Sequence, residues 1–305
     1  MRTTAKILIA VLLLSFCSAA SAEETFLEVY KAYHIEQRAR NYDAAMEKAN
    51  RALELAATAD HKATAHTMIA STYYSQKNID QAISSMDSAL AVEGLKPDKL
   101  ASLYWSKGGF YMGAKQYEKA RDTFQLISGI KEASPRYQAR SLVAIANTYT
   151  YSDPSDIAKA REVLAKVKDI EGTNGEDKSE AIYAASLLDR LEKNYTAANT
   201  KIASILDTEG LRDSVRAKYL MAMADNYRMA EQYDKAITTY QALVDDKTNS
   251  SYIHSRALLM IGVSYTSANE IEKARQAYQT LIDMDGAYPS YITNAKRYLK
   301  KLKDK

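Results

Sequence analysis

Proline and glycine are scarce, 4 and 10 in 305 residues, against 48 alanines. Sandwiches, barrels and collagen-like chains need frequent turn residues or a glycine period, so their absence leaves helices throughout. Cysteine occurs once, at Cys17, which excludes a disulfide framework and any zinc site built on thiolates. An excess of one charge is also missing. Lysine and arginine number 41 against 38 aspartates and glutamates, a net +3, so the basic surplus of a nucleic-acid-binding domain is lacking. No apolar run reaches the ~20 residues that cross a bilayer, and no transmembrane span is expected.

The first residues carry an export pattern. Arg2 and Lys6 precede a short apolar run, Ile7 to Leu14, and Ala20-Ser21-Ala22 offers a small-x-small cleavage site. Residues 1–22 thus read as a signal peptide and the mature chain as exported, periplasmic or secreted. Lipidation at Cys17 is the competing reading, but the bulky Phe16 stands where that motif has a small residue. Cleavage after Ala22 is preferred, and it leaves a chain without cysteine, as suits an oxidising compartment. Membrane association would then require lipid on Cys17 or a membrane-bound partner.

From residue 23 to 286 one unit is written seven times. Alanine recurs at Ala45, Ala82, Ala120, Ala160, Ala198, Ala236 and Ala274, at gaps of 37 to 40. Bulky residues stand three before each alanine (Tyr42, Ile79, Tyr117 and so on), and mostly apolar ones four and seven after it. Those spacings put four columns on one helix face, which is expected to be buried. A preceding helix is marked by a small residue (Ala70, Gly108, Ala146, Ser186, Ala224, Gly262) and, three later, a tyrosine column interrupted by Asp189. The longest gap places two extra residues in Tyr151–Ser155, inside the turn of the fourth hairpin. Residues 287–305, with Ile292, Ala295, Tyr298, Leu299 and Leu302 on one side and lysines on the other, read as a capping helix.

Leu103 to Tyr111 followed by Tyr117-Glu118-Lys119-Ala120, and Leu258 to Tyr265 followed by Ile271-Glu272-Lys273-Ala274, resemble the tetratricopeptide repeat family. The resemblance spans nearly the whole mature chain, and the 38-residue unit is similar to the exported, cell-envelope branch. It implies an all-α, right-handed α-solenoid of about seven helical hairpins plus a C-terminal capping helix. It further implies a non-enzymatic scaffold that binds a protein or peptide, without cofactor, on a concave face lined by the first helix of each hairpin. The first unit departs, with Tyr33 at the small position and Glu36 at the tyrosine position. The fifth departs at Asp189.

Carrying the family's groove rows onto this sequence selects Tyr74, Trp105, Arg140, Asn147, Tyr183, Arg190, Lys218, Asp225, Arg228 and Arg256 as candidate partner-binding residues. Cations outnumber anions among them, which suits an acidic, partly apolar peptide. A solvated helix face accounts for any single member equally well, and Gly109 beside Trp105 invites close packing there. The alternative class is a polysaccharide- or peptidoglycan-binding component of an envelope-biogenesis complex, on the strength of the tyrosines. Chemistry finds no foothold. His61 and His66 are five apart, the wrong spacing for a helical metal pair, and read as exposed polar residues. Gly172-Thr173-Asn174-Gly175 follows no strand, and no nucleophile or phosphate-loop signature occurs.

Overall fold

The computed structural model describes residues 24–303. The expected signal peptide and the lipidation site at Cys17 lie outside them. Fifteen α-helices follow one another, and the described residues contain no strand. They divide into two compact units, one ending at Ala114 and the other beginning at Lys115. The first unit holds α1 (Phe26–Ala39), α2 (Tyr42–Glu54), α3 (Ala59–Ser75), α4 (Ile79–Leu90) and α5 (Pro97–Gly113). The second opens with α6 (Tyr117–Ser128), α7 (Pro135–Tyr151) and α8 (Ile157–Ala165), the last running into a 3-10 turn, Lys166–Asp169. It continues through α9 (Gly175–Leu191), α10 (Tyr195–Leu206), α11 (Asp213–Met229) and α12 (Tyr233–Asp245). The chain closes with α13 (Ser251–Ser267), α14 (Ile271–Asp283) and α15 (Pro289–Lys303).

The periodic alanines are the axis of each hairpin: all seven are 0% exposed. The columns four and seven residues on are buried with them, from Ala49 and Ala52 to Tyr278 and Leu281. The column three residues before the alanine corrects the expectation, because Tyr42 through Ile271 are only half-buried. Each is the first residue of its helix, at the mouth of the turn, where solvent reaches one side of the ring or branch. The prolines Pro97, Pro135 and Pro289 open helices at the position where a missing N–H costs nothing.

The turns inside the hairpins use left-handed backbone without glycine. Arg40, Lys77, Lys115, Lys193, Glu231 and Asn269 all have φ near +60°, each five residues before its alanine. After Arg40, Lys77, Lys193, Glu231 and Asn269 the next amide bonds back to the carbonyl five residues earlier, as in Asn78 to Tyr73, Asn194 to Asp189 and Glu270 to Tyr265, at 2.8–2.9 Å. This satisfies carbonyls that the helix end would orphan. The fourth hairpin departs: its turn is longer, residues 152–156, with a cis Asp153–Pro154 bond, and Asp156 donates to Tyr149 at 2.9 Å. The insertion thus sits where the spacing placed it.

At the small column the fold demands small side chains. A Cβ on Gly262 would overlap the buried Tyr278 ring. Beside Gly109, in contrast, nothing lies within 4 Å, so the close packing expected there is absent.

Candidate functional site

Three neighbouring first helices of the second unit, α9, α11 and α13, share a groove of about 540 Å³. Five of the ten candidate residues line it: Tyr183, Arg190, Lys218, Asp225 and Arg256. Residues one turn earlier, Ser214 and Tyr252, line it too and were missed by the row assignment. The signal was present: each stands four residues before Lys218 or Arg256, on the same helix face.

Asp225 is internally committed. The Tyr240 hydroxyl donates to its Oδ1 at 2.5 Å and the Arg256 guanidinium to its Oδ2 at 2.9 Å. Burial and the Asp225 charge push the Tyr240 phenol well above its ordinary pKa, so it remains a donor. Asp225 therefore orients Arg256 and is not free to attract a ligand. The Lys218 ammonium lies 4.6 Å from the Tyr183 ring centre and 5.3 Å from that of Tyr219. Burial raises the Tyr183 phenol above its usual range and pushes Tyr219 up to about 12, so both faces stay neutral beneath the cation. Arg190 has no ion-pair partner among the described residues. Three cations thus face one anion whose two oxygens are already bonded.

The other five candidates lie elsewhere. Arg228 is next door: it faces Tyr240, and its Nε is buried without a hydrogen-bond partner. Arg140, on α7, acts on the buried Asp177 of α9. Desolvation raises the Asp177 carboxyl, with Arg136 and Arg140 opposing that shift. Asn147 is half-buried on α7 and does not line the groove. Tyr74 and Trp105 belong to the first unit. The Tyr74 ring stacks on Phe110 at 4.6 Å and its hydroxyl fills the space beside Gly113, a packing role. Trp105 is half-buried on α5. A groove of about 510 Å³ in that unit, lined by Tyr30, His34, Ser71 and Lys99 among others, includes neither.

The tyrosine column turns out to be a ladder of cations over rings. Lys159, Lys235 and Lys273 lie over Tyr149, Tyr227 and Tyr265 of their own hairpins, at 5.5–5.8 Å. Arg121 reaches the next hairpin's Tyr149 at 4.2 Å. In the fifth hairpin Asp189 replaces the ring and keeps the cations. Arg161 meets its Oδ1 at 2.8 Å and Lys201 its Oδ2 at 2.5 Å, while Asp189 is 4% exposed. The histidines also differ from expectation. His61 and His66 are half-buried, His61 stacks on Phe26 at 4.0 Å, and burial lowers the His34 and His66 pKa. Among the described residues no three metal-ligating side chains gather, and no helix is long and apolar enough to cross a membrane.

Two tetratricopeptide repeat family models match the chain, at residues 221–291 and 63–93. The first match includes Asp225 and Arg256. Among solved structures, a tetratricopeptide repeat protein from Parabacteroides merdae is similar over 91% of this chain and 98% of its own, at 15% identity and TM-score 0.55. The C-terminal part of a repeat protein from Cytophaga hutchinsonii is similar over 87% and 98%, at 15% identity and TM-score 0.51. A signal-transduction ATPase with a tetratricopeptide repeat sensor, from Pyrococcus horikoshii, matches over 90% of this chain and 42% of that one, at 16% identity and TM-score 0.59. These identities speak to the fold alone. No curated protein matches the sequence.

Proposed function

The chain belongs to the tetratricopeptide repeat family, and from that premise we propose that it is a non-enzymatic adaptor whose α9–α11–α13 groove binds an acidic segment of another protein. Helical hairpins of this kind are protein-interaction scaffolds. What carries the finer reading is the charge of the groove: Arg190, Lys218 and Arg256 face a single carboxylate already bonded by Tyr240 and Arg256. A partner's carboxylates would meet Arg190 and Lys218, and the exposed Tyr252 offers its ring to the partner's apolar side chains. Arg190→Glu with Lys218→Glu is expected to weaken binding of a Glu/Asp-rich peptide at least tenfold and to flatten its salt dependence. Calorimetry at two ionic strengths checks this, and unchanged affinity would reject the groove.

Tyr183 and Tyr252, with Ser214 and Ser250 beside them, support polysaccharide as the second reading. Sedimentation with purified cell wall separates the two, because the charge-reversed variant would still sediment if rings and hydroxyls do the binding. We place the protein in the bacterial cell envelope, with residues 1–22 as its removed leader, on the pattern of Arg2, Lys6 and Ala20-Ser21-Ala22. The expected mature N-terminus is Glu23, to be read by mass spectrometry of the periplasmic fraction. A chain retaining Met1, or one beginning at a lipid-modified Cys17, would overturn that placement.

A further inference from the structure

A second cavity, of about 400 Å³, lies on the far side of α9 from the groove. Successive helical residues turn by 100°, so Lys178, Ala181, Ile182 and Ala185 cluster opposite Tyr183 and Arg190. The facing wall comes from Leu164 and Val167 of the fourth hairpin. There α8 has only 9 residues, where the second helices of the other hairpins have 12 or 13. The backbone tightens into the 3-10 turn Lys166–Asp169 instead of continuing as α-helix.

The lining is of two kinds only. Six apolar side chains form the walls, and four cations, Arg161, Lys168, Lys178 and Lys201, complete it; no carboxylate, hydroxyl or amide side chain takes part. Arg161 and Lys201 are held by Asp189. Lys168 and Lys178 are exposed and pair with no carboxylate among the described residues. A peptide or sugar placed inside would find donors in the cations but no side-chain acceptor for its own N–H or O–H groups. A hydrocarbon chain has no such groups to satisfy, and an anionic head at the rim would neutralise the two free lysines.

We propose that this cavity binds a single-chain anionic amphiphile, with its acyl chain between α8 and α9 and its carboxylate or phosphate head on Lys168 and Lys178. The site is separate from the peptide groove and stands or falls without it. The test is calorimetric titration of the full-length protein with monomeric octanoate, decanoate and 1-decanol. Co-sedimentation with phosphatidylglycerol vesicles runs in parallel. One saturable site is expected, about fourfold tighter for each added methylene. Lys168→Glu with Lys178→Glu is expected to weaken decanoate about tenfold and leave decanol unchanged. Ala185→Phe, filling the cavity, is expected to abolish both; circular dichroism verifies that each variant is folded. Decanoate binding without vesicle binding is the expected result for a single-chain ligand; vesicle binding would overturn it, because phosphatidylglycerol carries two chains. Non-saturable uptake or affinity independent of chain length would overturn the proposal as well.

Discussion

Single positions in this fold are constrained by what lies one helix away. Gly262 and Tyr278 illustrate it: the ring occupies the volume that a Cβ would need. Gly262→Ala is therefore expected to destabilise the protein by about 1–3 kcal/mol, the usual range for overpacking, read as a lower midpoint in urea. Gly109→Ala, with nothing within 4 Å, is the matched control and is expected to be neutral or slightly stabilising. Asp189 shows the opposite kind of constraint. Its side chain is nearly buried, yet it is tolerated because Arg161 and Lys201 bring their charges to it. From the sequence it reads as a break in the tyrosine column; in space it is that column's ion-paired substitute. The column itself hid its chemistry, because a lysine ten or eight residues from a tyrosine says nothing until a turn folds one over the other.

At the scale of elements, the repeat makes α8 conspicuous. The second helices of the other hairpins hold unbroken α-helical hydrogen bonding for 12 or 13 residues, whereas α8 gives way after nine to a 3-10 turn. Its 3-10 bonds have poorer geometry, and an open cavity lies beside them. Amides of residues 163–170 are thus expected to exchange with deuterium sooner than those of α12 and α14, checked by hydrogen exchange with mass spectrometry. Equal protection across the three helices would contradict this reading. The groove is the positive counterpart: three 17-residue helices, α9, α11 and α13, keep the same register, so one row from each meets in one place.

At the scale of the whole molecule, charge and pH act on the two units differently. In the first, burial lowers the pKa of His34 and His66, so the folded state prefers both rings neutral. The unfolded chain binds more protons between those lowered values and the ordinary value of 6.5, and stability must fall as pH drops through that window. A lower thermal midpoint at pH 5 than at pH 7.5 is expected, and His66→Gln should reduce the difference. In the second unit, Asp177 is raised by burial, so its contribution runs the other way, favouring the fold as pH falls toward the carboxylate range. The sequence by itself determined the hairpins, their number and the buried alanine columns, because a helix converts spacing directly into a shared face and each face must find another. It also placed the two-residue insertion in a turn, since only a turn absorbs added residues without rotating a face. What tertiary structure alone decided was which of ten candidate side chains meet, that Asp225 is spent on Tyr240 and Arg256, and where a shortened helix leaves a cavity. Those depend on distances between side chains on different helices, and periodicity carries the direction of a side chain but not the identity of what it touches.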